Sequence, residues 1–367
     1  MRGERDAAVQ PELAATLVSV GTAAPPHRYE QDELIEAFKA NWAAKHHNLA
    51  RVEQLHRAVA VGGRNLALPM ERYPTLSGFG ESNDAFIEVG TNVGAEAVSA
   101  ALAAAGLAPT DVDAILFTTV TGVAAPSIDA RLVNRLRMRN DIKRMPFFGL
   151  GCVAGAAGVA RMYDYLRGWP DHVAVLLSVE LCSLTLQRAD LSIPNLIASG
   201  LFGDGAAAVV AAGSRAAARL GKQGPQVIAS KSRFYPDTER VMGWDIGDNG
   251  FKIVLSAAVP DVVRQHVRAD VEGFLAEQGL ALSDIQSWVC HPGGPKVLEA
   301  FQDSLDLPPD ALSLTWESLE RVGNLSSASV LHVLGDTLAR RRPPAGSLGL
   351  MLAMGPAFCS EIVLIRW

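Results

Sequence analysis

The chain has 367 residues, 49% of them hydrophobic and 20% charged. That balance excludes a disordered chain, and the length suits roughly two to three domain-sized units. The net charge of −6 excludes a general nucleic-acid binder, which needs a basic face to neutralise phosphates.

The elements expected along the chain come in two matching series. LVSVG (17–21) is the first strand. A helical pattern then stops at Gly106 in AAAGLAPTDV (103–112) and gives way to a strand, AILFTTV (114–120). GLGCVAGAAG (149–158) opens a helix that runs to about residue 166, and VAVLLSV (173–179) is the next strand. GSRAAARLGKQGP (213–225) reads as a link. The series then returns: strand QVIAS (226–230), a helix stopped at Gly279 in AEQGLALSDI (276–285), strand SWVCHP (287–292), helix GNLSSASVLHVLGDTL (323–338) and strand LGLMLAM (348–354).

Both stop motifs fit A-x-x-G-L-A-x-[ST]-D-[VI], and Gly106 and Gly279 lie 173 residues apart. At an offset of 172, Cys152 falls on Asn324 and Asp164 on Asp336. Matches in the same order at nearly constant offset predict an internal duplication of two α/β halves, residues 1–222 and 223–367. Short apolar strands between helices predict mixed sheets with helices on both faces.

No stretch of about 18 apolar residues is free of charges and breakers, so no membrane-spanning helix is expected. Residues 1–15 contain no apolar signal core, so a cytoplasmic chain is expected. The four cysteines are Cys152, Cys182, Cys290 and Cys359. None has CxxC or zinc-ligand spacing, and in a cytosolic chain they are free thiols.

Cys152 sits among glycine and alanine at the start of a helix, where the positive end of the dipole favours a thiolate. His291, in CHPGGPK, follows an apolar strand, a position that faces a cleft in open α/β sheets. Asn324, in GNLSSA, supplies an uncharged amide donor for a developing oxyanion. Read singly, each has a plain structural role: small core residue, surface hydrogen-bonding group, helix N-cap. On matching edges of a duplicated fold, the three together favour nucleophilic catalysis. The GxSxG, HExxH and GxxxxGK[ST] motifs are absent. GLGCVAG departs from a dinucleotide fingerprint because its third glycine comes one residue late.

These residues resemble the Cys-His-Asn triad of the thiolase-fold condensing enzymes. LFGDGAAA (201–208) and GPAFCSE (355–361) are similar to two further signatures of the type III polyketide synthases, the chalcone synthase-like group. The resemblance runs from about residue 17 to the C-terminus and implies a thiolase-like α/β fold layered αβαβα. It also implies iterative decarboxylative condensation of malonyl-CoA onto an acyl starter held on Cys152. His291 would keep the sulfur as thiolate, and His291 with Asn324 would hold the enolate oxygen. No metal and no bound organic cofactor are implied; acyl-CoA and malonyl-CoA are substrates, and the enzyme is a homodimer.

Other positions carry over from the same resemblance. Phe202 matches a gatekeeper phenylalanine. The second gatekeeper falls on Ile253, a departure that widens the passage, and Trp244 replaces a glycine of plant members. With Cys182 in VELCSLT, this pattern is similar to bacterial members that take long fatty acyl starters and make alkylpyrones or alkylresorcinols. Thr121, Ser326, Gly355 and Pro356 are further cavity candidates. Arg51, Arg57 and Lys296 are candidates for the CoA phosphates. Two alternatives remain: a single-condensation enzyme like ketoacyl synthase III that uses a carrier protein, and a non-catalytic scaffold with the same fold.

Overall fold

In the computed structural model, residues 14–42 and 48–367 are described. The N-terminal stretch read as lacking a signal core lies almost wholly outside them. Described strands of the N-terminal half are β1 (Ala15–Ala23), β2 (His27–Glu30), β3 (Gly63–Leu66), β4 (Ala114–Thr119), β5 (Lys143–Phe148), β6 (Val173–Leu181) and β7 (Asp204–Gly213). Its helices are α1 (Gln31–Trp42), α2 (Leu49–Arg57), α3 (Phe79–Ala105), α4 (Ile128–Arg135), α5 (Ala154–Gly168), α6 (Ile193–Leu201) and α7 (Ser214–Arg219). The C-terminal half adds β8 (Gln226–Phe234), β9 (Met242–Gly247), β10 (Gly250–Leu255), β11 (Ile285–Cys290), β12 (Leu348–Gly355) and β13 (Cys359–Arg366). Its helices are α8 (Val259–Glu277), α9 (Pro295–Leu305), α10 (Ser313–Val322) and α11 (Ser329–Arg340).

Nine strands hydrogen-bond in the order β11-β12-β13-β8-β1-β7-β6-β4-β5. The order mirrors itself about the β8/β1 junction, so β1, β7, β6 and β4 answer to β8, β13, β12 and β11. The strands are mixed: β4 runs parallel to β5 and β6, β11 runs parallel to β12, and the other pairs are antiparallel. Among the described residues the two halves of the sheet pair in register at Ala15–Val227 and Thr16–Gln226, with Leu17 N donating to Pro225 O at 2.8 Å. Helices α5 and α11 fill the space between them. Their apolar faces, among them Val159, Met162, Val330 and Val333, form the central core with Leu176, Val209, Met351 and Val363. On the outer faces, α3 and α4 cover one half of the sheet, and α8 and α9 cover the other. The architecture is thiolase-like, α/β, in five layers.

The repeated stop motif folds the same way twice. Gly106 and Gly279 adopt φ of +61° and +71°, the left-handed region that glycine enters without a Cβ clash. Asp111 Oδ2 accepts from Ala108 N at 2.7 Å, and Asp284 Oδ2 accepts from Ala281 N at 2.8 Å. The segment at 213–225, expected to be a plain link, contains the short helix α7. No described helix is long and apolar enough to cross a membrane.

Candidate active site

Both central helices begin at one place, each through a 3₁₀ turn: Gly151–Val153 before α5 and Ser326–Ala328 before α11. Gly151 has φ +55°, and a Cβ there would stand 2.5 Å from Pro356 Cδ, so only glycine lets the turn close against the β12–β13 connection. Ser326 has φ +48°. Gly151 and Ser326, the starts of α5 and α11, and the starts of β6 and β12 are all 175 residues apart. This corrects the register read from sequence: the structural counterpart of Cys152 is Ser327, not Asn324. Both segments are rich in small residues, so composition matches at several offsets while backbone conformation fixes one.

Asn324 nevertheless reaches the same spot. It lines one cavity of about 440 Å³ together with Cys152 and His291, and Thr121, Ser326 and Pro356 complete the inner wall. Cys152 is 7% exposed, and its Sγ donates to Ser326 Oγ at 3.6 Å. The Ser326 N–H donates to Asn324 Oδ1 at 2.8 Å. That bond commits the amide oxygen and leaves the amino group as the donor for a ligand. His291 is anchored by its backbone N–H to Leu352 O at 2.9 Å, and neither ring nitrogen has a hydrogen-bond partner. Among the described residues, no cluster of three or more His, Cys, Asp or Glu could hold a metal ion.

Burial sets the charge state. It pushes the Cys152 thiol up to about 12 and the His291 imidazolium down to about 3. Burial thus disfavours the separated charges of both groups. The positive end of the helix at Cys152 acts on the thiol in the opposite direction. Proton transfer from sulfur to imidazole would create both charges together, each offsetting the other's burial.

A second cavity, of about 480 Å³, lies next to the first. Cys182, Phe202, Trp244 and Ile253 line both cavities and form the partition. Trp244 and Ile253 are cross-strand partners on the β9–β10 ribbon, and Phe202 ends α6. Gly355 lies behind the wall, where a Cβ would come within 2.7 Å of Leu150 O and Val153 N.

Of the three cationic candidates, Lys296 lines the first cavity. Arg51 and Arg57 do not; helix α2 and its end contribute Leu55, Ala58 and Val59 instead. Arg57 is ion-paired with Asp32 at 2.8 Å and Glu53 at 3.0 Å, and Arg51 is exposed and bonded to Gln54.

Sequence reasoning missed Glu180. It is fully buried at the end of β6 and accepts from Thr121 Oγ1 at 3.0 Å, from Val120 N at 3.1 Å and from Ser327 Oγ. Burial raises its carboxyl to about 7. The available signal was a single acid closing the otherwise uncharged strand VAVLLSVEL.

Comparison with known proteins accounts for nearly all of this chain. The family model for the N-terminal domain of chalcone and stilbene synthases matches residues 3–215, and that for their C-terminal domain matches 226–367. A 1,3,6,8-tetrahydroxynaphthalene synthase of Streptomyces peucetius subsp. caesius is 53% identical, covering 100% of this chain and 96% of that protein. A putative chalcone synthase of Bacillus subtilis is 34% identical over 96% of this chain and 99% of its own length. The crystal structure of 1,3,6,8-tetrahydroxynaphthalene synthase from Streptomyces coelicolor, a bacterial type III polyketide synthase, superposes with a TM-score of 0.90. It is 28% identical, and the match covers 96% of this chain and 99% of that one. With its matching folded halves and a buried cysteine, histidine and asparagine on one cavity, the chain belongs to the chalcone and stilbene synthase family and is a type III polyketide synthase, a condensing enzyme that acts on CoA thioesters.

Proposed function

We propose that this enzyme builds a short, densely oxygenated polyketide from malonyl-CoA alone and closes it to a polyhydroxylated aromatic. The observation that carries the reading is the second cavity. Beyond the partition its wall includes Arg64, Tyr73, Ser183, Thr185, Gln187 and Asn195, and no carboxylate. Apolar Phe38, Met70, Phe79 and Leu184 share that wall, so it is mixed, which suits a chain of alternating carbonyls and methylenes better than a uniformly alkyl tail. The tetrahydroxynaphthalene synthase relatives support the same reading.

In the proposed chemistry His291 takes the Cys152 proton, and the sulfur attacks the starter thioester. CoA leaves as the thiolate and takes that proton back. A second malonyl-CoA loses CO₂; the pair of electrons from the broken C–C bond becomes an enolate. His291 and the Asn324 amino group hydrogen-bond the enolate oxygen, and the enolate carbon attacks the Cys152 thioester. The sulfur departs, and the chain, longer by two carbons, now rides on CoA and must be reloaded. Lys296 meets the CoA phosphates at the mouth. The enzyme works as a cytoplasmic homodimer.

A long-chain fatty acyl starter, the expectation from sequence, is the second reading. Ile253 in place of an aromatic gate favours it, because the partition is then easier to open. Purified enzyme given malonyl-CoA as sole substrate should release CO₂ and a polyhydroxylated aromatic. If it is inert until a dodecanoyl-CoA is added, and then yields alkylpyrones, the second reading replaces the first. A single two-carbon extension would refute both.

A further inference from the structure

Arg64, on β3, is 2% exposed, a charged side chain buried beside the second cavity. Its Nη1 donates to Phe202 O at 2.6 Å and its Nη2 to Ser199 O. Both carbonyls lie at the C-terminal end of α6, where helix carbonyls lack partners and the dipole is negative. The nearby Asp204 carboxylate, held by Ala67 N at 2.5 Å and Ser183 N at 2.8 Å, balances the charge.

Past α6 the chain is stitched to the segment that carries Asn324. Asn324 N donates to Leu201 O at 2.9 Å, and Gly203 N donates to Asn324 O at 3.0 Å, a one-residue parallel bridge between Phe202 and Asn324. The two backbones touch without slack. A Cβ on Gly203 would stand 2.4 Å from Val322 O, and one on Gly323 would stand 2.8 Å from Leu201 O. Phe202 is thus gripped on its carbonyl by Arg64 and on both flanks by the backbone of Asn324.

We propose that Arg64 is a positioning residue that holds the Phe202 partition and the Asn324 amide as one rigid unit, so that access to the second cavity and stabilisation of the enolate are set together. The proposal rests on the roles assigned above to Phe202 and Asn324. Arg64 acts through two backbone carbonyls. A residue of merely structural value would change the amount of folded enzyme and leave its products alone.

The test compares Arg64→Lys, Arg64→Met and Gly203→Ala with the unmodified enzyme. Thermal unfolding, acyl adducts on Cys152, malonyl-CoA decarboxylation and product chain length are measured on each. Arg64→Lys should fold and acylate. Its decarboxylation kcat should fall about ten-fold, with KM changed by less than about two-fold, as expected when a donor is misplaced while substrate binding is kept. Its products should also shift in length. Arg64→Met should show both changes more strongly. Gly203→Ala, which wedges the same two segments apart and presses on the Arg64 Cβ at 3.2 Å while keeping the guanidinium, should reproduce them. Folded Arg64 variants with unchanged kcat and unchanged products overturn the proposal, as does a change in only one of the two. If neither Arg64 variant folds, Gly203→Ala decides by the same criteria. Failure of the underlying reading shows separately, as an Asn324→Ala enzyme that still decarboxylates at full rate.

Discussion

At Gly155 the two halves press close together beside the site. It lies in the first turn of α5, three residues after Cys152. A Cβ there would stand 2.2 Å from the Ser327 carbonyl oxygen and 2.6 Å from Val330 Cγ1. Contacts under 3.0 Å essentially never occur for a real Cβ, so Gly155→Ala must part the turns by at least 0.8 Å, from 2.2 to 3.0 Å. Ser327 cannot simply retreat, because its hydroxyl is held by Ser178 at 2.7 Å and by Glu180. Overpacking of this kind costs about 1–3 kcal/mol. The parting also moves Cys152 away from Asn324, and a misplacement of about 1 Å lowers turnover by about 10². Chemical denaturation measures the first effect and malonyl-CoA turnover per folded site the second. Gly168→Ala, at the far end of the same helix with nothing within 4 Å, is the control, and should be neutral or stabilising by about 0.5–1 kcal/mol. A folded Gly155→Ala enzyme with turnover within about two-fold of normal, far short of that loss, would refute the idea that this contact sets the spacing of the site.

Three further outcomes are expected. Asn324→Ala should slow decarboxylation by about 10²–10³, the usual effect of losing one oxyanion donor, while acylation of Cys152, followed by intact mass, persists. His291→Gln should slow alkylation of Cys152 by iodoacetamide by about 10² at pH 7 and recover as pH climbs toward the thiol's value of about 12; an unchanged rate at pH 7 would remove His291 as proton acceptor. Glu180 holds its proton more tightly folded, at about 7, than at its ordinary 4.5. Its contribution is therefore fully present below 4.5 and is lost as pH rises to about 7. Glu180→Gln should flatten the fall in Tm across that window; an identical pH profile would show that Glu180 does not titrate there.

What the sequence made legible was local. The motif around Gly106 and Gly279 states its own conformation, a left-handed stop followed by an aspartate cap, and both copies fold as written. Cys152, His291 and Asn324 were placed at helix and strand ends, which the apolar runs mark well, and they line one cavity, although the register used to pair Cys152 with Asn324 was wrong. Long-range partners were not legible. Nothing near Arg57 in the chain shows that Asp32 would occupy it. The helix start at Cys152 suggested an acidic thiol; the depth of burial, which pushes the thiol up, belongs to the assembled layers. The register of the central helices was misread because glycine, alanine and serine align with one another at many offsets.

The corrected register has a consequence for how the chain must be handled. One copy of the duplicated turn presents Cys152 to the cavity; the other places Ser327 where Glu180 and Ser178 hold its hydroxyl. The two copies of the turn therefore bring one thiol, not two, to the cavity, whose other thiol, Cys182, lies outside both copies. In the chemistry proposed above, each round ends with the chain on the carrier that brought the last unit, and the next begins by returning it to Cys152. The time between departure and return is when a chain can be lost, so its final length is a contest between recapture and escape.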